Sequence, residues 1–178
     1  MKKTFSSFAL LIFLSFSSKA QNILYQAPQG FDSLRANIPR GKIDTVTYDS
    51  KTVGTKRKTL IYTPPNFSKS KKYPVLYLLH GIGGDEKEWL IGKPQAILDN
   101  LYVDKKIEPM IVVMPNGRAM KDDRGVGNIF DSVKVQAFAT FEKDLLNDLI
   151  PFIEKTTLLS AAQKAVLLRV FQWAVGSH

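Results

Sequence analysis

Residues 80–84 read His-Gly-Ile-Gly-Gly and directly follow an apolar run, Val75-Leu76-Tyr77-Leu78-Leu79. Glycines at Gly81, Gly83 and Gly84 let a chain turn sharply after a strand and leave room for another molecule to approach the backbone. The chemistry that calls for such a loop is acyl transfer. When a carbonyl carbon is attacked its oxygen gains negative charge, and backbone N–H groups held rigidly nearby stabilise that charge. The N–H of Ile82 is the first candidate donor, with Gly81 and Gly83 shaping the turn and His80 packing behind it. A plain turn has the same composition, so the surroundings of the loop must decide its meaning.

Other residues carry weaker chemical signals. Trp89 could wall an acyl pocket, although a core tryptophan packed on a helix reads the same way. Asn116, with Gly117 and Arg118, stands at the end of a second apolar run, where ligands gather in α/β sheets, and is a candidate to line the cleft. Asp85, Glu86 and Glu88 suit the opening of a helix better than a metal site. Asp122, Asp123 and Asp131 have no regular ligand spacing and read as a solvated loop. Neither a metal nor a cofactor is expected.

These groups need a scaffold, and the chain supplies its pattern. Residues 21–42 contain Pro28, Gly30, Pro39 and Gly41 with little periodicity, and read as an irregular lead. Two alternating runs follow, Ile43 to Tyr48 and Lys58 to Tyr62, with a turn at Gly54 between them and Pro64-Pro65 after. Tyr73 to Leu79 and Met110 to Met114 contain continuously apolar stretches, as suits strands covered on both faces. Pro94 to Lys105 carries Ile97, Leu98, Leu101 and Tyr102 at helical spacing. Ala137 to Lys155 is the strongest helix, with Phe138, Phe141, Leu145, Leu149, Phe152 and Ile153 opposite Glu142, Lys143 and Asp148. Pro151 should bend or shorten its last turn. This order of elements predicts an α/β fold whose sheet begins antiparallel and turns parallel.

Composition narrows the setting. The 178 residues are 44% hydrophobic, enough for one globular domain. Lys2 and Lys3, an apolar run from Phe8 to Phe16, and Ser18-Lys19-Ala20 make residues 1–20 a signal peptide cleaved after Ala20. That run is too short to span a bilayer, which needs about 20 residues, so no stable membrane insertion is expected after cleavage. The mature chain is therefore expected to be secreted or periplasmic. The absence of cysteine leaves stability to the core alone. Removing Lys2, Lys3 and Lys19 lowers the formal charge from +9 to +6. The remaining excess sits in local runs, Lys51 to Lys58 and Lys69 to Lys72, without the interleaved aromatics of a nucleic-acid surface, and no nucleic-acid partner is expected.

Three blocks resemble a known family: LYLLHGIGGDEKEWL, then ILDNLYVDKKIEPMIVVMPNGRA, then FEKDLLNDLIPFIEKT. In order and spacing they are similar to the N-terminal half of the secreted esterases that include carbohydrate esterase family one, the feruloyl and acetylxylan esterases. The resemblance runs from about Ile43 to Thr157. It implies an α/β-hydrolase fold, doubly wound with a mostly parallel sheet. It also implies serine-dependent hydrolysis of feruloyl or acetyl esters on plant cell-wall polysaccharide such as xylan, with no cofactor. A loop of the HGGG type supplies an oxyanion donor in that fold. The nucleophile, acid and base do not transfer. The family's serine sits in a Gly-x-Ser-x-Gly elbow, which is absent here, and the two histidines are His80 and His178.

Residues 158–178 read LLSAAQKAVLLRVFQWAVGSH and do not resemble the family. Back-translating Arg169 to Val175 and reading from the third base of each codon permits GGT TTT TCA ATG GGC, which encodes Gly-Phe-Ser-Met-Gly. That is the missing elbow, and Lys164 to Leu168 permits Ser-Arg-Ala-Ile-Ala before it. A shift of reading frame near Leu158 to Gln163 is the expectation, making 158–178 an out-of-frame tail. The alternative is a genuine helix, capped by Ser160 and striped with Val166, Leu167, Val170, Phe171 and Ala174. On the first reading the fold is truncated before its nucleophile strand. Val75 to Leu79 is then a bare apolar edge prone to aggregation. Function is correspondingly the first half of an exported esterase, an inactive or non-catalytic binding fragment, or, less in keeping with the pattern, an acyltransferase.

Overall fold

The computed structural model describes residues 27–157 and the backbone of residues 166–169. The signal segment 1–20, the start of the lead and most of the 158–178 tail lie outside the described residues. Five strands form one sheet in the order β1-β2-β4-β3-β5. Strands β1 (Lys42–Ser50) and β2 (Thr55–Thr63) make an antiparallel hairpin, paired from Lys42 with Thr63 to Ser50 with Thr55. Its turn needs Gly54, whose φ of 73° is a conformation that side chains disfavour. β2 pairs antiparallel with β4 (Ile111–Pro115). From there the sheet is parallel, β4 with β3 (Val75–Leu79) and β3 with β5 (Val166–Arg169). The expected change from antiparallel to parallel is therefore present, with strands slightly longer or shifted at their ends.

Alternation sorts the side chains to two cores. Ile61, Val75, Tyr77, Ile111 and Val113 face Phe141, Leu145, Leu149 and Ile153 on one side. Leu60, Tyr62, Val112 and Met114 meet Trp89, Leu98 and Met110 on the other, along with Leu76 and Leu78. Ile111 to Met114 are each fully buried, because β4 has neighbours on both edges and helices over both faces. Burial of each such side chain is worth about 1.5–3 kcal/mol.

Helix α1 (Pro94–Val103) covers the second face, entered through Lys93 at φ 50° with Pro94 in its first turn. It also holds the irregular lead. The Asn100 amide donates to the carbonyls of Phe31 and Ser33, both at 2.9 Å, and Arg35 grips Asp104 with two bonds. The long helix begins earlier than its apolar stripe, as α2 (Ser132–Asp144), and continues through a π turn (Leu145–Leu149) into α3 (Ile150–Thr157). Proline lacks an N–H, and its ring crowds the carbonyl four residues back. The wider π turn just before Pro151 absorbs that conflict, so the helix runs on to Thr157 without ending early.

Two expectations need correction. Asp148, placed on the polar face by the stripe, is buried, where it accepts the Thr52 N–H at 2.9 Å and caps the hairpin. The tail is not helical at Val166–Arg169. That segment is a strand, and it pairs the edge of β3 that was expected to be bare.

Candidate active site

The loop after β3 is a β-turn. Gly84 N–H donates to Gly81 O at 3.0 Å, which places Ile82 and Gly83 at the two corners. Corner N–H groups point outward in such a turn, and those of Ile82 and Gly83 have no hydrogen-bond partner among the described residues. The turn is braced at Gly81, at Ile82 O and at Gly84. Glu88, in the 3-10 turn Glu88–Gly92, accepts the Gly81 N–H at 3.2 Å. Its carboxylate fills the space beside Gly84, where a Cβ would lie 1.6 Å from Oε2. Only glycine at 84 lets Glu88 stay there.

His80 stands behind the turn with both ring nitrogens committed. Nε2 accepts the Gly117 N–H at 2.7 Å, so the proton of the neutral ring sits on Nδ1 and donates to Gly81 O at 2.6 Å. Burial holds the His80 pKa below the ordinary 6.5, partly opposed by the bond to Gly81 O. The Phe138 ring meets the imidazole edge-on, with centroids 5.9 Å apart. A lone pair spent on a backbone N–H is not available to take a proton from a hydroxyl. His80 is thus a neutral support of the loop in this arrangement.

Arg118 clamps the same turn from the exit of β4. It is 1% exposed, yet its guanidinium makes three bonds to carbonyls: Ile82 O and Asp123 O at 3.0 Å each, and Gly84 O. The Phe138 ring lies 5.8 Å from its Cζ. Asn116 supports the clamp. Its Oδ1 accepts the Arg118 N–H at 2.9 Å, and its amide donates to Glu86 and to Asp123 O, both at 3.1 Å.

A second buried arginine lies below. Arg57 donates to the carbonyls of Asn116 at 2.6 Å and Arg118 at 3.0 Å, and forms an ion pair with Asp144 of α2. Tyr48 joins both, donating to Asp144 at 2.6 Å and accepting from Arg57 at 2.9 Å. The polar chain from Asp144 through Arg57 and the Asn116–Arg118 backbone to Arg118 therefore reaches the loop without a break.

The structure brings together His80, Gly81, Ile82, Gly83 and Asn116. Trp89 sits elsewhere, packed with Leu98 against the α1-side core. The acids read as a helix opening brace the site instead, Glu86 through Asn116 and Glu88 through Gly81. Arg57 and Asp144 carried no signal as site residues. The one available hint was the alternation of β2, which turns every second residue of Lys56-Arg57-Lys58 inward.

A family model described as "Putative esterase" matches residues 50–167, more than half of the chain. The chain is 38% identical over 139 residues to an endo-1,4-beta-xylanase/feruloyl esterase of Xylanibacter ruminicola, covering 75% of this chain and 18% of that protein. It is 33% identical over 104 residues to endo-1,4-beta-xylanase Y of Acetivibrio thermocellus, covering 57% of this chain and 9% of the relative. Among solved structures, a CE1 ferulic acid esterase from Anaeromyces mucronatus in complex with ferulic acid superposes with a TM-score of 0.65 at 28% identity. That match covers 72% of this chain and 48% of the other. The chain thus spans under a fifth of these curated relatives and about half of the solved esterase. With its sheet order and its braced glycine turn after β3, the chain belongs to this esterase family and has its α/β-hydrolase fold.

Proposed function

We propose that this chain carries the oxyanion half of a serine-dependent carboxylic ester hydrolase acting on feruloyl or acetyl esters of plant cell-wall polysaccharide. The observation that supports it is the pair of unpartnered N–H groups, Ile82 and Gly83, at the corners of a turn held at Gly81 N–H and at the carbonyls of Gly81, Ile82 and Gly84. The substrate class follows the xylanase/feruloyl esterase relative and the structure solved with ferulic acid. Ile82 N–H is the donor to the developing oxyanion, Gly81 and Gly83 shape the turn, and His80 supports it. The sequence holds no Gly-x-Ser-x-Gly elbow, so on this reading the chain as it stands is an inactive form of the enzyme. A shifted reading frame near Leu158 to Gln163 accounts for this, since the alternative frame restores Gly-x-Ser-x-Gly over codons 169–174, beyond the helix that ends at Thr157. Export with cleavage after Ala20 completes the reading.

The test compares two proteins on an aryl acetate and a feruloyl ester: this chain, and the product of a frame-restored gene. Activity only in the second supports the proposal. Turnover by the 178-residue chain, abolished by replacing a serine it already contains, sinks it. Sequencing the coding DNA beyond codon 157 is the companion check, because a downstream frame without the later acid and histidine removes the frame-shift explanation. N-terminal sequencing of exported protein should begin at Gln21.

A further inference from the structure

The buried guanidinium of Arg118 has no carboxylate among the described ion pairs, and its polar partners are backbone carbonyls. Burying a charge costs several kcal/mol unless it is well bonded, so this placement has a structural consequence to account for it. The carbonyl of Ile82 belongs to the same peptide unit as the N–H of Gly83. In a trans peptide the two point in opposite directions, and no cis peptide occurs among the described residues. Because Ile82 O is bound to Arg118, the Gly83 N–H must point away from the clamp, and it has no partner there. A cation on the carbonyl also polarises the amide at the other end of the unit, strengthening it as a donor. The bond from Arg118 to Gly84 O stops the turn from rotating about its own ends.

We propose that Arg118 is a positioning residue for the oxyanion loop: it sets the plane of the Ile82–Gly83 peptide and makes the Gly83 N–H a fixed donor alongside that of Ile82. This rests on the reading of the loop given above, and the experiment separates the two. Hydrogen exchange and amide proton shifts are followed in the full 178-residue chain, with Arg118→Met and Arg118→Lys compared to the parent. In Arg118→Met the Gly83 amide proton should move upfield. The Gly84 and Gly117 amides should exchange about tenfold faster, while those of Val112 and Val113 in β4 stay unchanged. Lysine, which keeps the charge but bonds fewer carbonyls, should restore part of the effect. Equal acceleration in loop and strand would mean a merely structural role, and an unmoved loop would mean no role; either overturns the proposal.

In the frame-restored enzyme, Arg118→Met should lower kcat by about tenfold to a hundredfold with KM little changed, as expected when a donor is misplaced by a fraction of an ångström. A rise in KM alone would overturn the proposal. If the frame-restored parent is inactive, the esterase reading fails, while the exchange measurements still decide whether Arg118 holds the loop. If Arg118→Met does not fold, the Arg118→Lys comparison decides by the same local pattern.

Discussion

The backbone N–H of Gly117 donates to Nε2 of His80 at 2.7 Å, so the exit of β4 is tied to the exit of β3 through a neutral imidazole. Gly117 is needed for this approach, because a Cβ there would lie 2.9 Å from the Phe138 ring. The same bond makes the loop sensitive to acid. Burial lowers the folded-state pKa of His80 below 6.5. Between that lower value and 6.5 the unfolded chain binds a proton that the folded chain does not, so stability falls as pH drops through this window. Urea midpoints measured between about pH 5 and 7.5 should fall on the acid side, and His80→Gln should flatten the dependence. An unaltered dependence in the variant would show that another group is responsible.

The buried Arg57–Asp144 pair should be costly to break from one side. Asp144→Asn or Arg57→Met alone is expected to cost about 3–5 kcal/mol, because each leaves a desolvated group without its partner. Replacing both by apolar residues of similar volume should cost less than the sum. Denaturant unfolding of the three variants measures this, and strict additivity would contradict the pairing. Tyr48→Phe, which removes one bond to each partner, should cost about 1–3 kcal/mol.

Gly84 and Glu88 should behave as a coupled pair. In Gly84→Ala the new methyl takes the place of the Glu88 carboxylate, which must swing out and release the Gly81 N–H. Glu88→Ala removes the same brace directly. The double variant should therefore be destabilised by less than the two single effects combined, with a coupling energy of about 0.5–3 kcal/mol. Independent effects would show that the brace is not shared.

Pairing of β5 with β3 should protect the chain from self-association. Truncation after Thr157 removes β5 and leaves the inner strand β3 as a sheet edge. Open strand edges pair with other chains, so light scattering should report more aggregation of the truncated form than of the full chain at equal concentration. Equal scattering would mean that β5 gives no protection.

The positions of β1 to β4, α1 and the long helix were readable because each is announced by its own neighbours: alternation, continuous apolar runs, Gly54 at a turn, Pro94 at a helix start. The turn at 80–84 was readable for the same reason, since its glycines follow a buried strand directly. Asp148 was misassigned because a stripe drawn at a constant period cannot foresee a π turn, which changes the face presented by the residues around it. The strand at Val166–Arg169 was also missed. Its residues suit a helix locally, and only the open edge of β3 gives them a different use.

Short-range pattern thus determined the strands β1 to β4 and the main helices, and that a glycine-rich turn follows β3. Tertiary structure alone decided what holds that turn. Lys56, Arg57 and Lys58 carry like charges in a row, yet only Arg57 is buried, because alternation in β2 turns it toward Asp144, 87 residues further along the chain. Arg118 likewise becomes a clamp only because parallel pairing of β3 and β4 brings their exits side by side. Partners so distant in sequence are chosen by strand register and helix packing, which no local window of residues contains.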